Sequence, residues 1–339
     1  MKPIFFELWN AGLFNQVSSL ELAVGLAHET KRPLVVHFFS HDLEKNIYIS
    51  TPSIHSNDQR NNFTDRSLKN NPHLLDLFDI NSDLIIVDKK IDFFKQEEIT
   101  INNLMLGYYY SNKSEITEDE LAFAEGRERL PLDKTIHLKQ TLGFYSRFFY
   151  DRNPELNKAL SSVRPKQVYT DLAKKISESL GKFQGMHLRL SEHEVDPMFH
   201  REEIIDSWLT KYESNGLPIV LSTDEPNHQV VNKNKHRVIL LDEYIVNNFE
   251  KEFKSLPFQD EVVFGLICNL VLHDSVNFVG KSGTTYTSYI QRNRNQKGIE
   301  TWNFLDDPPK AESKPYSWNN YPLPNDLKMW WREWPESKC

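Results

Sequence analysis

Short runs of continuous apolar residues, each followed by a polar turn and then by apolar positions three or four apart, recur along this chain. Ile4 to Leu8 predicts a strand, Trp9 to Phe14 a tight loop, and Asn15 to Glu29 a helix with Val17, Leu20, Val24 and Ala27 on one face. Pro33 to Phe39 predicts the next strand, completing a βαβ opening, and Leu84 to Val87 a further buried strand after a polar stretch rich in Asn, Asp and Ser. From about Ile101 to Tyr150 the pattern reads as mostly helical and aromatic. The segment Ser161 to Gln167 breaks it, and a helix over Val168 to Leu180 then feeds a strand over Phe183 to Leu188. Strands near Pro218 to Leu221, Arg237 to Leu241 and Val276 to Val279 alternate with helices near Ile204 to Ser214, Gln259 to Leu272 and Thr285 to Asn295. Such alternation predicts an α/β protein whose second half is a doubly wound parallel sheet. Past Trp302 the chain turns proline-rich, and Leu327, Trp330, Trp331 and Trp334 follow at helical spacing. That last amphipathic helix packs on the first domain, or else offers an acceptor surface or an interfacial membrane contact.

Length changes the picture first. A chain of 339 residues exceeds what one core usually holds, so two domains with a cleft between them are expected, divided near residue 165. The net charge of −8 speaks against a nucleic-acid partner, although local basic residues can still hold a small phosphate ligand. Only Cys268 and Cys339 are present, which excludes a disulfide scaffold and fits a reducing, cytoplasmic setting. Lys2 and the short run Ile4 to Phe6, met at once by Glu7, read as neither a signal sequence nor an integral membrane segment. The sequons at Asn62 and Asn112 would matter only in a secretory lumen.

Three strand-to-loop junctions carry the candidate chemistry. Gly185-Met186-His187-Leu188-Arg189 sends an arginine out of the end of a buried strand, where a bidentate cation suits a diphosphate; a structural salt bridge to Glu192, Glu194 or Asp196 would explain it equally. His187 alternates to the opposite face from Met186 and Leu188, as a satisfied core histidine would. Ser222-Thr223-Asp224 ends a second strand with groups that bind a sugar hydroxyl or cap the following turn. Gly280-Lys281-Ser282-Gly283-Thr284-Thr285-Tyr286 ends a third. Its lysine precedes the last glycine, which is the wrong order for a P-loop, so an ATPase is excluded; Ser282, Thr284 and Thr285 remain as phosphate donors or as plain helix caps. Near the amino terminus, Gly12 lies in a strand-to-helix loop that lacks the three-glycine dinucleotide fingerprint, and Asn15 serves as a site residue or a helix cap. No spacing of His and Cys suggests a metal site, and Glu192, His193, Glu194, Asp196 and His200 read as a solvated loop.

Taken in order, these segments resemble the fucosyltransferase superfamily that contains the protein O-fucosyltransferases and the α-1,6-fucosyltransferases. Gly12-Leu13-Phe14-Asn15-Gln16 is similar to its amino-terminal loop, His187-Leu188-Arg189 to its His-x-Arg motif, Ser222-Thr223-Asp224 to its Thr-Asp strand end, and Thr284-Thr285-Tyr286 with Tyr289 to Arg294 to its paired hydroxyls, aromatic and basic helix. The resemblance implies an α/β GT-B fold, with two Rossmann-like domains facing an interdomain cleft: 1–165 on the acceptor side, 166–305 on the donor side, and a tail over 306–339 packing back on the first domain. It implies an inverting, metal-independent transfer of fucose from GDP-fucose to a hydroxyl of a glycan or protein, with no further cofactor. Carried over, Arg189 holds the diphosphate and the departing GDP, Asn15 stands near the transferring sugar, and Glu192 or else Glu194 takes the acidic position after His-x-Arg, with Glu192, Glu194 and Glu7 as candidates for the catalytic base. Gly12, His187, Thr223, Asp224, Ser282, Thr284, Thr285, Tyr286 and Asn269 bind the donor. The family's base-reading aspartate falls at Cys268 or Asn269, with Asp260 and Glu261 upstream as substitutes, and the second arginine of the α-1,6 branch is Leu190. Two alternatives stay open: another sugar nucleotide in the same fold, or a noncatalytic nucleotide- or glycan-binding module.

Overall fold

A computed structural model describes residues 3–8, 13–38, 74–81, 98–102, 135–139, 162–190, 202–281, 284–296 and 305. The chain divides into two compact units, with a boundary between Lys166 and Gln167.

In the first unit, β1 (Ile4–Leu8), α1 (Leu13–Thr30) and β2 (Leu34–Phe38) form the βαβ opening. Helix α1 starts within the stretch expected as loop, and its buried stripe is the anticipated one: Val17, Leu20, Val24 and Ala27 are all fully buried, as are Ile4 and Phe6 of β1. A short helix α2 (Leu74–Leu77) runs into β3 (Phe78–Ile80), and β4 (Glu98–Asn102), β5 (Thr135–Lys139) and β6 (Val163–Pro165) follow. The main sheet is parallel in the order β2-β1-β5-β4, while β3 and β6 form a separate antiparallel pair. Strand β5 interrupts the stretch expected to be mostly helical and pairs directly with β1; residues 103–134 and 140–150 of that stretch lie outside the described residues. The residues at 84–87 and 306–339, where a strand and an amphipathic helix were anticipated, lie outside the described residues.

The second unit alternates more regularly. Its elements are α3 (Gln167–Leu180), β7 (Gln184–Leu188), α4 (Glu202–Glu213), β8 (Ile219–Thr223), α5 (Gln229–Asn234), β9 (Ile239–Leu240), α6 (Leu241–Lys254), α7 (Glu261–Leu272), β10 (Phe278–Gly280) and α8 (Thr285–Gln296). The strand anticipated over Arg237 to Leu241 shrinks to two residues. Lys235–Arg237 form a 3-10 turn before it, and Leu241 already opens α6. All four strands are parallel, in the order β10-β7-β8-β9.

Every residue of β7 and β8 is buried, because helices cover both faces of the sheet. The pleat sorts the two faces. Met186 and Leu188 of β7, Ile219 and Leu221 of β8 and Val279 of β10 join Ile205, Trp208, Leu209 and Tyr212 of α4 in one apolar cluster. Alternate residues point the other way, and on that side the strand ends are small or polar: Gly185, His187, Ser222 and Gly280. Burying a side chain such as Leu221 or Val279 stabilises by about 1.5–3 kcal/mol, so the α4 face contributes heavily to stability, while the opposite face, also covered by helices, carries the polar strand ends. Helices α3 and α7 pack against each other, and Asp260 caps α7 by accepting the Val263 N–H at 2.8 Å. No helix among the described residues is long and apolar enough to cross a membrane.

Candidate active site

From β7 the second unit builds outward to β8 and β9 and then returns to the opposite side of β7 with β10. Strand order therefore reverses between β7 and β10. In open α/β sheets the crevice outside the carboxyl ends of the strands at such a reversal is where ligands bind.

The register decides which residues meet there. Leu188 pairs with Thr223, and His187 with Gly280, so all three strands end at nearly one level. The residues that step off them are Asp224, Arg189 and Lys281, a row of one anion and two cations across three neighbouring strands. Arg189 Nε lies 3.1 Å from Asp224 Oδ2, and the arginine side chain keeps 29% of its surface exposed. The other oxygen, Asp224 Oδ1, accepts the Leu190 N–H at 2.7 Å. The carboxylate thus grips both the guanidinium and the backbone beyond it. This ion pair differs from the local one to Glu192, Glu194 or Asp196 that the sequence allowed as an alternative. Thr223 is buried and turns inward on its own loop, its Oγ1 accepting the Glu225 N–H at 3.2 Å.

Behind this row, the polar face of the sheet seats the first turn of α8. His187 Nδ1 lies 2.9 Å from Thr287 Oγ1, and its ring stacks on Tyr286 with centroids 4.4 Å apart. His187 is therefore a buried, satisfied histidine, as its alternation suggested. Tyr286 is fixed at three points: its hydroxyl donates to the Gly265 carbonyl at 3.4 Å and meets Ser222 Oγ at 3.3 Å, and its own carbonyl accepts from Asn269 Nδ2 at 3.1 Å. Asn269 is fully buried, and its carbonyl oxygen meets His273 Nε2 at 2.9 Å. Both ends of the amide are spent on neighbours, so the residue holds the start of α8 from behind. Thr284 caps the helix, its Oγ1 accepting the Thr287 N–H at 3.1 Å; a hydroxyl that accepts in this way retains its own hydrogen to donate. Thr285 is the first residue of the helix and half-buried.

Gly280 is required by this packing. A Cβ there would stand 2.6 Å from Thr287 Oγ1 and 2.7 Å from its Cγ2. The absent side chain lets Thr287 reach the sheet and His187.

A helix N-terminus carries unsatisfied N–H groups and a partial positive charge, which suit an anion. With Arg189 and Lys281 leaving the adjacent strands, the carboxyl rim is chemically a place for a polyanion such as a diphosphate. The half-buried ring of Tyr286, held by His187, Ser222 and Gly265, gives it a rigid wall. Asn15 falls in the first turn of α1 in the other unit. Gly12, Glu192 and Ser282 lie outside the described residues. Thr287 was missed as a site-building residue, and Gly280, named at the third junction, was not read as the seat for it. Asp260 and Glu261, weighed as base readers, open α7, where the Asp260 carboxylate already serves as its cap.

No model of a known protein family matches this chain, and no curated protein matches it. Solved structures do. A crystal structure of NodZ α-1,6-fucosyltransferase soaked with GDP-fucose superposes with a TM-score of 0.53 at 12% identity, covering 94% of this chain and 100% of that one. Fucosyltransferase NodZ from Bradyrhizobium superposes with a TM-score of 0.52 at 13% identity, over 94% of this chain and 100% of that one. This chain has the fold of those fucosyltransferases. The resemblance carried by the strand-end segments therefore extends to a mixed α/β backbone with parallel sheets, at an identity too low for the likeness to have come from overall sequence.

Proposed function

We propose that the protein is an inverting, metal-independent glycosyltransferase that moves fucose from GDP-fucose to a hydroxyl of a glycan or protein acceptor. Its two Rossmann-like domains, 1–165 and 166–305, would face a cleft in the GT-B manner, with 306–339 returning to the first domain. The observation that carries the reading is the Arg189–Asp224 pair at the strand reversal, beside a capped helix start. A cytoplasmic location is part of the same proposal, which rests on a sequence with only two cysteines, Cys268 and Cys339.

In this mechanism the acceptor oxygen attacks the anomeric carbon from the face opposite the phosphate. The bond from that carbon to the β-phosphate oxygen breaks, and its electron pair leaves with GDP, so the configuration inverts. Negative charge builds on the leaving oxygen. Arg189, aimed by Asp224, neutralises it together with the hydroxyls of Thr284, Thr285 and Ser282 and the N–H groups at the start of α8; preorganised donors of this kind contribute about 10²- to 10³-fold each. Glu192 takes the acceptor's proton, and Asn15 and Gly12 line the sugar from the first domain. Tyr286, backed by His187, walls the nucleoside. Asn269 and Thr223 act at one remove, by fixing Tyr286 and the loop that carries Asp224.

A thermal-shift panel of nucleotides tests the donor. GDP at 100 times its dissociation constant should stabilise the fold by about 2.7 kcal/mol. Stabilisation by UDP with none by GDP would overturn the assignment in favour of another sugar nucleotide. The Arg189→Ala variant then separates an enzyme from a binding module, because it should lose turnover by orders of magnitude while remaining folded.

A further inference from the structure

Helix α8 is tied down at both ends, and the second tie lies outside the site. Arg294, in its last turn, is fully buried at the amino-terminal edge of β10. Its Nη1 donates to the Ser275 carbonyl and, at 2.7 Å, to Ser275 Oγ, while Nη2 donates to the Val276 carbonyl at 3.3 Å. The guanidinium also lies over the Phe278 ring, 6.0 Å from its centroid. Ser275 is itself pinned, donating to the Leu272 carbonyl at 2.7 Å. One planar fork therefore grips two successive carbonyls that lead into β10, and the other end of the same strand seats Thr287 through Gly280.

Such a cation is costly to bury. Desolvation pulls the Arg294 pKa down to about 10, and an apolar side chain of similar volume is often as stabilising as a buried charge or more so. What a fork adds is direction: its donors lie in a fixed plane, so the helix has one axial position and one tilt relative to the strand.

We infer that Arg294 is a positioning residue that sets, from the far end of α8, where the helix's first turn stands against the carboxyl rim of the sheet. Nine helical steps separate it from Thr285, about 14 Å at 1.5 Å per residue, so it touches no ligand there. A rigid helix converts a small tilt at Arg294 into a displacement of Thr284 to Thr287, and misplacement of about 1 Å far from the chemistry can cost 10²-fold in rate. For its kinetic arm the inference rests on the proposed donor site.

The test uses the full chain with Arg294→Met, Arg294→Lys and the milder Ser275→Ala, which removes one of the bonds to Nη1. Amide hydrogen exchange at Thr287 and Ser288, whose N–H groups bond to Thr284, is read against exchange in the β8 ladder, whose backbone pairs with β7 and β9 and not with α8. We expect Arg294→Met to speed exchange in that first turn at least tenfold more than in β8 and to lower kcat/KM for GDP-fucose by about 10- to 100-fold. Arg294→Lys should recover part of both effects, and Ser275→Ala should fall between Lys and the parent. Exchange that rises equally in β8 and in the first turn would show a merely structural arginine and overturn the inference, as would unchanged exchange and kcat/KM in folded Arg294→Met. Should Arg294→Met fail to fold, the Lys and Ala variants decide by the same comparison. If the parent chain binds no GDP, the donor assignment fails, whereas first-turn exchange still decides the role of Arg294.

Discussion

Replacing Gly280 by Ala is a one-atom perturbation whose consequences can be worked through. The new Cβ would meet Thr287 Oγ1 at 2.6 Å, Thr287 Cγ2 at 2.7 Å and Phe278 Cζ at 3.0 Å. Carbon atoms settle near 3.5–4.0 Å, so Thr287 must retreat by about 1 Å. The His187 Nδ1 to Thr287 Oγ1 bond, now 2.9 Å, would then exceed hydrogen-bonding range. Overpacking costs about 1–3 kcal/mol and the lost bond about 1 kcal/mol. The smaller entropy of an unfolded alanine returns about 0.4–1 kcal/mol, which leaves a net loss of about 2 kcal/mol. Thr287→Ala removes both clashing atoms, at the cost of the same hydrogen bond and a buried methyl. The double variant should therefore be about as stable as Thr287→Ala alone, with a coupling of roughly 2 kcal/mol between contacting sites. The slowest-exchanging amides of β7 and β8, followed in increasing urea, report the stability of the second unit without assuming that both units unfold together. Losses that simply add in the double variant, or a Gly280→Ala chain as stable as the parent, would refute the claim that the missing side chain exists to seat Thr287.

Asp224→Asn keeps an acceptor for the Leu190 N–H but removes the charge from Arg189, so kcat/KM should fall about 10²-fold with little change in melting temperature; steady-state kinetics with GDP-fucose check it. Asn269→Leu removes the bonds to the Tyr286 carbonyl and the His273 ring in a buried setting and should cost about 1–3 kcal/mol in all in urea unfolding. On the acid side, Arg237 holds the Glu213 carboxyl below its ordinary value of 4.5 by hydrogen bonding to it. The folded value is the depressed one, so this pair's contribution is complete above pH 4.5 and disappears as pH falls through the folded pKa. Arg237→Met should therefore flatten the acid limb of the stability profile, and an unchanged limb would assign acid sensitivity to other carboxylates.

What the sequence disclosed, and what it concealed, follows from the length of each signal. Strands β7 and β8 were legible because residues buried on both faces give unbroken apolar runs, α1 because about five turns repeat one stripe, and α7 because it is apolar and buried nearly all round. Strand β5 was concealed. Thr135-Ile136-His137-Leu138-Lys139 offers only two apolar positions in alternation, too few to stand out in an aromatic neighbourhood, yet it pairs with β1 in the middle of the sheet. Helix α6 was overlooked although Leu241, Ile245 and Phe253 fall on one buried side, because two residues of strand run straight into it with no turn to mark the boundary. At the site, Arg189 could be singled out from its strand, whereas its partner could not. The local acids Glu192, Glu194 and Asp196 are nearer in the chain, and only the pairing of β7 with β8 brings Asp224 alongside.

Register, more than any motif, is what makes these residues one site. Helix capping explains Thr284, a local turn explains Thr223, and core satisfaction explains His187; each explanation is correct and none implies a ligand. With His187 paired to Gly280 and Leu188 to Thr223, however, the next residues along the three strands are obliged to leave the sheet side by side. A slip of one residue in either pairing would exchange the two faces, sending His187 and Ser222 into the apolar cluster with Trp208 and exposing Met186 or Leu221 to the helix start. The apolar cluster therefore fixes the chemistry indirectly. By forbidding the slip, Met186, Leu188, Leu221 and Val279 bring the Arg189–Asp224 pair and the backbone of Lys281 to one rim, which an isolated strand end could not do.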